Sequence, residues 1–133
     1  LIVDDDETDA LLLREAVDAA GLELDLFFVM DGEHAMDFLL RRREFRESRR
    51  PALVLLDWRL PGLDGSEVLR HIKSRPSLKD IPVIVLSSST AENDVRRARE
   101  LGADAYFSKP CRLEDLVELT KQIAERWIRA KTP

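Results

Sequence analysis

The sequence predicts an α/β protein in which five parallel strands form one doubly wound sheet with five helices packed on its two faces. The main observation is an alternation along the chain: short apolar segments rich in β-branched residues are separated by longer segments with helical periodicity. The short segments are apolar at nearly every position, which is typical of parallel strands covered on both faces. The length of 133 residues suits a single domain with a substantial core.

The predicted strands are short and closely follow the apolar segments. They span residues 1–3, 24–29, 52–56, 83–86 and 105–107. The first strand has only three residues before Asp4, and the sequence does not begin with methionine. We therefore expect a few native residues to precede Leu1.

The helix boundaries are predicted from capping residues. Asp64 and Ser89 suit the N-cap position, because each is followed three residues later by a glutamate that completes a capping box. Gly21 and Gly102 suit the left-handed position that ends a helix. Five segments have helical periodicity. The first helix is marked by Leu11, Leu12, Ala16 and Ala19, the second by Ala35, Met36, Phe38, Leu39 and Leu40, and the third by Val68, Leu69 and Ile72. The fourth lies between Glu92 and Gly102, and the fifth is marked by Leu113, Leu116, Val117, Leu119, Thr120, Ile123 and Ile128.

The composition excludes several classes of protein. The 21 Lys and Arg residues against 26 Asp and Glu give a net charge of -5, which argues against binding nucleic acid through bulk charge. The single cysteine, Cys111, has no internal disulfide partner, and no Cys/His cluster has zinc spacing. The longest apolar runs are far too short for a membrane helix, and the chain opens without a signal peptide pattern. We expect a reduced, cytoplasmic domain that binds neither membrane nor nucleic acid.

The candidate site lies beyond the carboxyl ends of the strands, where parallel sheets bind ligands. In the strand order 2-1-3-4-5 the first and third strands are neighbours, so Asp4, Asp5 and Asp57 converge. Three close carboxylates repel one another unless a cation lies among them, and an all-oxygen set suits Mg²⁺. Ser87 and Lys109 follow the fourth and fifth strands and add a hydroxyl donor and a positive charge. Together these groups predict a site where a carboxylate attacks phosphorus.

These residues also allow other interpretations. No GxGxxG or GxxxxGKS/T motif is present, so a nucleotide-binding domain is disfavoured. Asp6, Glu7 and Asp9 are interpreted as the cap and first-turn acids of the first helix. Taken alone, Ser87 fits a helix approach and Lys109 fits a surface lysine. The combination of acids, hydroxyl and lysine is more specific than any one member.

Residues outside this set are interpreted as structural. His34 and His71 are expected to be surface or boundary residues without acidic partners, and Cys111 is expected to be a small apolar filler. Trp58 and Trp127 are expected to pack in the core. A basic run is interpreted as a solvated helix end, with a partner-docking patch as the alternative. This run contains Arg41, Arg42, Arg43, Arg46, Arg49 and Arg50.

Four segments, in order and with matching spacing, resemble the receiver domain of two-component response regulators. They are residues 2–5 (IVDD), 55–65 (LLDWRLPGLDG), 82–87 (PVIVLS) and 102–110 (GADAYFSKP). The likeness covers essentially the whole chain. It implies a flavodoxin-like receiver fold with strand order 2-1-3-4-5 and a single receiver domain over residues 1–133 with no output domain.

The resemblance assigns the phosphoacceptor and the metal ligands. Asp57 matches the residue that accepts the phosphoryl group. Asp4 and Asp5 match the acidic pair that holds Mg²⁺ together with Asp57, and the backbone carbonyl of Arg59 matches the remaining protein ligand. These assignments are what the resemblance implies.

The resemblance also assigns the residues that respond to the phosphoryl group. Lys109 would pair with the acceptor carboxylate or a phosphoryl oxygen, and Ser87 would bond the phosphoryl group. Tyr106 would be the switch aromatic that turns inward when Ser87 moves toward the phosphate. The face formed by the fourth helix, fifth strand and fifth helix would then change.

Several details are similar to the small single-domain regulators paired with phytochrome-type histidine kinases. They are the arginine-rich stretch before the third strand, the segment DALLLREA at residues 9–16, the segment SSST at residues 87–90, and Arg126 followed by Trp127. The likeness implies a stand-alone regulator that accepts a phosphoryl group from a histidine kinase. Its partners would be that kinase, a downstream protein target or phosphotransfer protein, and a second copy of itself through the apolar last helix.

Two rival functions stay open at this point. The first is a small Mg²⁺-dependent phosphatase with an aspartyl nucleophile, although the family it would resemble carries that nucleophile in an Asp-x-Asp motif on the first strand. The second is a phosphorylation-independent pseudo-receiver that acts as an interaction module. The expectation is that the protein is no turnover enzyme beyond self-phosphorylation and slow autodephosphorylation.

Overall fold

A computed structural model of the protein describes residues 1–88 and 91–128. Its centre is a five-stranded parallel sheet with the order β2-β1-β3-β4-β5, so the predicted class and strand order are confirmed. The strands are β1 (Ile2–Val3), β2 (Phe28–Val29), β3 (Val54–Leu56), β4 (Val83–Ser87) and β5 (Ala105–Ser108).

The described residues contain five α-helices, of which four connect successive strands and the fifth follows β5, together with two short helical turns. The helices are α1 (Glu7–Ala19), α2 (Gly32–Leu39), α3 (Gly65–Ser74), α4 (Glu92–Glu100) and α5 (Leu113–Ile123). A 3₁₀ turn spans Arg43–Phe45, and a π-helical turn over Ala124–Ile128 follows α5. No helix in the described part of the chain combines the length and apolar character needed to cross a membrane.

The core lies on both faces of the sheet because strand side chains alternate. Val54 and Leu56 pack on the face covered by α2, α3 and α4, where Val68, Leu69 and Ala98 meet them. The opposite face is covered by α1 and α5, and its buried residues form two smaller clusters. These smaller clusters include Ile2, Leu13, Ala16, Leu53, Ile84, Leu116 and Ile123.

The strand and helix ends differ from the sequence prediction in several places. Three strands differ by one residue: β1 begins at Ile2, and β4 and β5 extend to Ser87 and Ser108, so Ser87 is the last residue of its strand and does not follow it. The second strand was expected over residues 24–29, but β2 is confined to Phe28–Val29. The third begins two residues later than expected. The last helix was expected to continue regularly to Ile128, but the α-helical part ends at Ile123 and a π turn completes it.

The predicted caps have mixed outcomes. Asp6 caps α1 as expected, since its Oδ1 accepts from the backbone N–H groups of Thr8 and Asp9 at 2.8 and 3.3 Å. Asp64 occupies the N-cap position of α3, but its carboxylate accepts from the Ser66 hydroxyl at 3.1 Å and from no first-turn N–H. The predicted cap Ser89 lies outside the described residues.

Two residues interpreted as structural have unexpected surroundings. His34 was expected to have no acidic partner, but its Nδ1 lies 2.8 Å from both carboxylate oxygens of Asp31, the N-cap of α2. Cys111 was expected to fill apolar space, but it is exposed in the turn before α5. The core position of Trp58 is confirmed by its 3% exposure.

The arginine run does not continue the second helix, because α2 ends at Leu39. Arg41 and Arg43 both adopt a left-handed backbone conformation with φ near +55°. Arg42 Nε lies 3.2 Å from Asp37 Oδ1, and Arg43 Nε lies 3.9 Å from Asp37 Oδ2. The run is therefore an irregular connection that is tied back to the last turn of α2.

Candidate functional site

Asp4, Asp5 and Asp57 meet at the carboxyl edge of the sheet, as predicted. One carboxylate oxygen from each lies within 4.8 Å of the other two. The register explains the convergence, because Val3 pairs with Leu56 and each is followed directly by an aspartate. The side chains of Asp4 and Asp57 are only 9% and 10% exposed. Asp5 is exposed.

The backbone around Asp57 is fixed from three sides. Its N–H donates to the carbonyl of Val3 at 2.9 Å, and its Oδ1 accepts from the N–H of Arg59 at 3.3 Å. The first residue of α3, Gly65, donates its N–H to the carbonyl of Trp58 at 3.2 Å. A Cβ on Gly65 would lie 2.6 Å from the Asp57 carbonyl oxygen, so only glycine permits this close approach.

Lys109 is the cation of the site. It follows β5, and its N–H donates to the carbonyl of Ser87 at 2.9 Å, which ties it to the end of β4. Its Nζ lies 3.0 Å from Asp4 Oδ2, 3.2 Å from Asp57 Oδ2 and 2.8 Å from Asp9 Oδ2. One ammonium therefore bridges acids from β1, β3 and α1.

Asp9 is a site residue that was not predicted. It lies in the first turn of α1 as expected, but its carboxylate also makes the shortest of the three contacts to Lys109. The sequence offered only its proximity as a signal, because Asp9 lies in the first turn of a helix that begins soon after the acidic pair.

Burial and neighbouring charges shift the pKa values of Asp57 and Lys109 in opposing directions. Burial raises the pKa of Asp57, and the charge of Asp4 adds to this effect, while Lys109 and the Arg59 N–H act in the opposite direction. Burial alone would lower the pKa of Lys109, but its hydrogen bonds to Asp9 and Asp4 and the charge of Asp57 outweigh it and raise that pKa. Lys109 is therefore firmly protonated.

Ser87 and Tyr106 lie on the two strands next to the acids. Ser87 is the last residue of β4 and is 1% exposed, paired in register with Ser108. Tyr106 pairs with Val85 and is partly buried. Its ring meets that of Trp58 edge to face, with centroids 6.5 Å apart. Trp58, the residue that follows Asp57, thus contacts Tyr106 of β5.

The donor set fits a divalent cation that prefers oxygen. Asp4, Asp5 and Asp57 form one cluster of carboxylates, and Asp4, Asp9 and Asp57 contact the ammonium of Lys109. Within residues 1–88 and 91–128 no other group of three metal-ligating side chains comes together. Hard oxygen donors with an excess of negative charge suit Mg²⁺, Mn²⁺ or Ca²⁺ and not a soft metal.

Comparison with known proteins places this chain in a known family. Residues 1–121 match the response regulator receiver domain. The chain is 39% identical over 132 residues to the response regulator Rcp1 of Synechocystis sp. and covers 99% of its own length and 90% of Rcp1. It is 32% identical over 121 residues to the polar-differentiation response regulator DivK of Brucella anthropi, which covers 91% of each chain.

Solved structures agree with the sequence relatives. The Mn²⁺-bound form of Rcp1 superposes with a TM-score of 0.87, with 39% identity over 99% of this chain and 94% of that one. The phosphorylated cyanobacterial phytochrome response regulator RcpA gives a TM-score of 0.91 at 39% identity, over 98% of this chain and 94% of that one.

These relatives confirm the expected likeness to regulators associated with phytochromes. The extent of the match, the strand order and the acid cluster at the strand ends all lead to one assignment. The chain belongs to the receiver domain family of response regulators.

Proposed function

We propose that this protein is a stand-alone response regulator that accepts a phosphoryl group on Asp57 from a histidine kinase in a Mg²⁺-dependent reaction. One observation carries the proposal. Asp57 clusters with Asp4 and Asp5, which can hold a cation, and the ammonium of Lys109 lies 3.2 Å from Asp57 Oδ2. A nucleophilic carboxylate with positive charge on both sides is what phosphoryl transfer requires.

The proposed reaction is a direct displacement at phosphorus. A carboxylate oxygen of Asp57 forms a bond to the phosphorus of a phosphohistidine while the nitrogen–phosphorus bond breaks. The bonding electrons return to the imidazole nitrogen, which takes up a proton from solvent. The product on this chain is an acyl phosphate, which water hydrolyses slowly to inorganic phosphate and the free carboxylate.

The surrounding residues have distinct proposed roles. A bound Mg²⁺ supplies positive charge to the phosphoryl oxygens, and Asp4, Asp5, Asp57 and the backbone carbonyl of Arg59 would hold it. Lys109 neutralises a phosphoryl oxygen from the other side, and the Ser87 hydroxyl donates to the phosphoryl group. The buried position of Ser87 at the end of β4 supports this role.

Tyr106 is the proposed switch residue. It lies on β5 beside the strand that carries Ser87, and its partly buried ring contacts Trp58 next to Asp57. A shift of Ser87 toward the phosphoryl group would change the packing around this ring. The surface formed by α4, β5 and α5 would then present a different shape to a partner.

The proposed partners follow from the relatives. RcpA is described as a phytochrome response regulator, and a phytochrome-type kinase is therefore the proposed phosphoryl donor. The output is contact with a downstream target or a phosphotransfer protein. The unpaired, exposed Cys111 is compatible with the proposed cytoplasmic location.

Association of two copies is part of the proposal. Leu11 and Leu12 on α1 and Leu113 on α5 are 62%, 39% and 40% exposed, and α1 packs against α5. Burying such side chains in a dimer would be favourable. Light scattering coupled to gel filtration tests this, with a strictly monomeric mass at micromolar to millimolar concentration as the contradicting outcome.

The central test is phosphoryl incorporation from a small donor such as acetyl phosphate. We expect the intact mass to rise by one phosphoryl group only when Mg²⁺ is present, with loss of the label in mild base. Asp57→Asn should abolish incorporation, whereas Asp80→Asn, which changes an exposed acid elsewhere, should preserve it.

The rival functions give different results in the same assay. Full labelling of the Asp57→Asn variant would refute the acceptor assignment. Steady turnover of small phosphate monoesters would favour a phosphatase. No incorporation in the unaltered protein would favour a phosphorylation-independent interaction module.

A further inference from the structure

We infer that Asp9 is a positioning residue for Lys109: its carboxylate holds the ammonium at the edge of the site when a divalent cation occupies Asp4, Asp5 and Asp57. The inference rests on the cation site in the proposed function. It adds to that site a residue that keeps the Lys109 ammonium apart from the cation, since both positive charges interact with Asp4 and Asp57.

The contacts divide the four acids into two groups. Asp4 and Asp57 serve both purposes, because each lies within 3.2 Å of Lys109 Nζ and each also belongs to the cluster that suits a cation. Asp5 belongs to the cation cluster and makes no ion pair with Lys109 within the described residues. Asp9 is the reverse: it contacts Lys109 at 2.8 Å and lies outside the cation cluster.

This division matters because the cation and the ammonium compete. A cation among Asp4, Asp5 and Asp57 draws the oxygens of Asp4 and Asp57 away from Lys109, and the two positive charges repel each other. Lys109 then keeps a single partner that the cation does not need, which is Asp9. Held there, it stays near Asp57, where the proposed function requires it.

The backbone of Asp9 is suited to this task. Asp9 lies in the first turn of α1, and its N–H donates to Asp6 Oδ1 at 3.3 Å, so the cap fixes where its side chain begins. The side chain is 36% exposed, compared with 9% for Asp4 and 10% for Asp57. A carboxylate with access to water keeps its charge at little desolvation cost.

The competing explanation is that Asp9 adds only negative charge to the region. The two explanations differ in one respect, because a positioning residue acts through Lys109 and a general charge does not. A double-mutant cycle between the two residues therefore separates them.

The experiment measures Mn²⁺ affinity from the free-ion electron paramagnetic resonance signal, for the unaltered protein, Asp9→Asn, Lys109→Gln and the double variant. We expect Asp9→Asn to weaken binding by about fivefold when Lys109 is present, because the released ammonium moves onto Asp4 and Asp57. In the Lys109→Gln background the same change should alter affinity by less than about twofold. Glu7→Gln, which removes a charge from the same helical turn without touching Lys109, should behave alike in both backgrounds.

Each outcome has one meaning. An Asp9→Asn effect that is equal or larger in the Lys109→Gln background would overturn the inference and leave Asp9 as a general charge. Absence of Mn²⁺ binding in the unaltered protein would instead remove the cation site, and with it the proposed function. Thermal unfolding of all variants shows whether each is folded.

Discussion

Lys109 Nζ lies 3.2 Å from Asp57 Oδ2, although the two residues are separated by 52 positions and belong to different strand ends. The contact spans the edge of the sheet from β5 to β3, across the end of β4. Because Lys109 also contacts Asp4 and Asp9, it partly neutralises the acids that would otherwise repel one another. The remaining negative charge still exceeds what one ammonium balances.

Asp57→Asn is therefore expected to stabilise the protein in the absence of divalent cations. Burial raises the pKa of Asp57, so the folded state binds its proton more readily than the unfolded state does. This contribution is present at acidic pH and is lost as the pH rises through the folded pKa, which makes the ionised group unfavourable at pH 7. We expect a gain of roughly 0.5–2 kcal/mol in the free energy of unfolding at pH 7 in EDTA, measured by urea titration.

Saturating Mg²⁺ should reverse that order. Ligand binding stabilises only the protein that retains the site, so the unaltered protein should gain stability and the variant should not. An Asp57→Asn variant that is less stable than the unaltered protein in EDTA would contradict the conclusion that the ionised, buried carboxylate of Asp57 is unfavourable at pH 7.

Gly65→Ala is expected to damage the site and the fold together. Its Cβ would meet the carbonyl oxygens of Asp57 and Trp58 at 2.6 and 2.7 Å, so α3 must move away from the segment that carries Asp57. We expect a loss of about 2–4 kcal/mol in the free energy of unfolding, together with weaker Mg²⁺ binding.

Gly21→Ala is the matched control for that change. Gly21 has φ of +71° and no heavy atom within 4 Å of the added methyl position, so only backbone strain is introduced. Its expected cost is about 1–2 kcal/mol, with Mg²⁺ binding unaffected. Equal losses of Mg²⁺ binding in the two variants would show that Gly65 has no special relation to Asp57.

The His34–Asp31 pair should make stability depend on pH. The hydrogen bond and charge of Asp31 raise the pKa of His34, so its contribution is complete below the unfolded value of about 6.5 and is lost as pH rises through the folded pKa. On the acid side, burial is the largest single effect and raises the pKa of Asp31, but the hydrogen bonds and charge of His34 together outweigh it and lower that pKa. The pair is therefore expected to contribute most between about pH 4 and pH 6.5.

The measurement compares the melting temperature of His34→Gln with that of the unaltered protein at pH 5.5 and pH 9. The difference between the two proteins should be larger at pH 5.5. A difference that does not change between these pH values would show that the pair contributes nothing through charge. His71→Gln, at the other histidine, provides the control.

Cys111 should react with a thiol reagent in the folded protein. Its side chain is exposed, so dithionitrobenzoate should modify one thiol without denaturant. Cys111→Ser should change the free energy of unfolding by less than about 0.5 kcal/mol, as for other surface substitutions. Reaction only after unfolding would restore the interpretation of a buried filler.

The parts of the site that could be predicted from sequence are those fixed by strand ends. Asp4 and Asp57 follow apolar strands directly, and parallel register brings such positions together in any sheet of this order. Asp9 could not be assigned in the same way, because an acid in a first helical turn has two explanations and sequence does not show which side of the helix faces Lys109. The exposure of Cys111 likewise depends on a turn whose path the sequence pattern does not determine.

The partner of His34 was missed for a different reason. Asp31 precedes it by three positions, which is the separation of a cap and the third residue of a helix, so the pairing was present in the sequence. The acid that pairs with His34 is the residue that caps the helix, and it lies just outside the helical segment. The end of α2 was similarly obscured, because arginine favours helices and here adopts a left-handed backbone at Arg41 and Arg43.

The location of the arginine-rich connection has a consequence for how freely this protein can vary. That connection leads from α2 into the amino end of β3, whereas every charged group of the site lies beyond the carboxyl ends of the strands. Exposed residues such as Arg46, Glu47 and Arg49 can therefore be exchanged while Val3 and Leu56 keep their alignment. Phe45 and Ser48 are constrained, because Phe45 packs against the core and the Ser48 hydroxyl donates to the carbonyl of Phe38 at 2.7 Å. The amino ends of the strands can therefore tolerate changes in the connection, while the register at the carboxyl ends keeps Asp4 and Asp57 side by side.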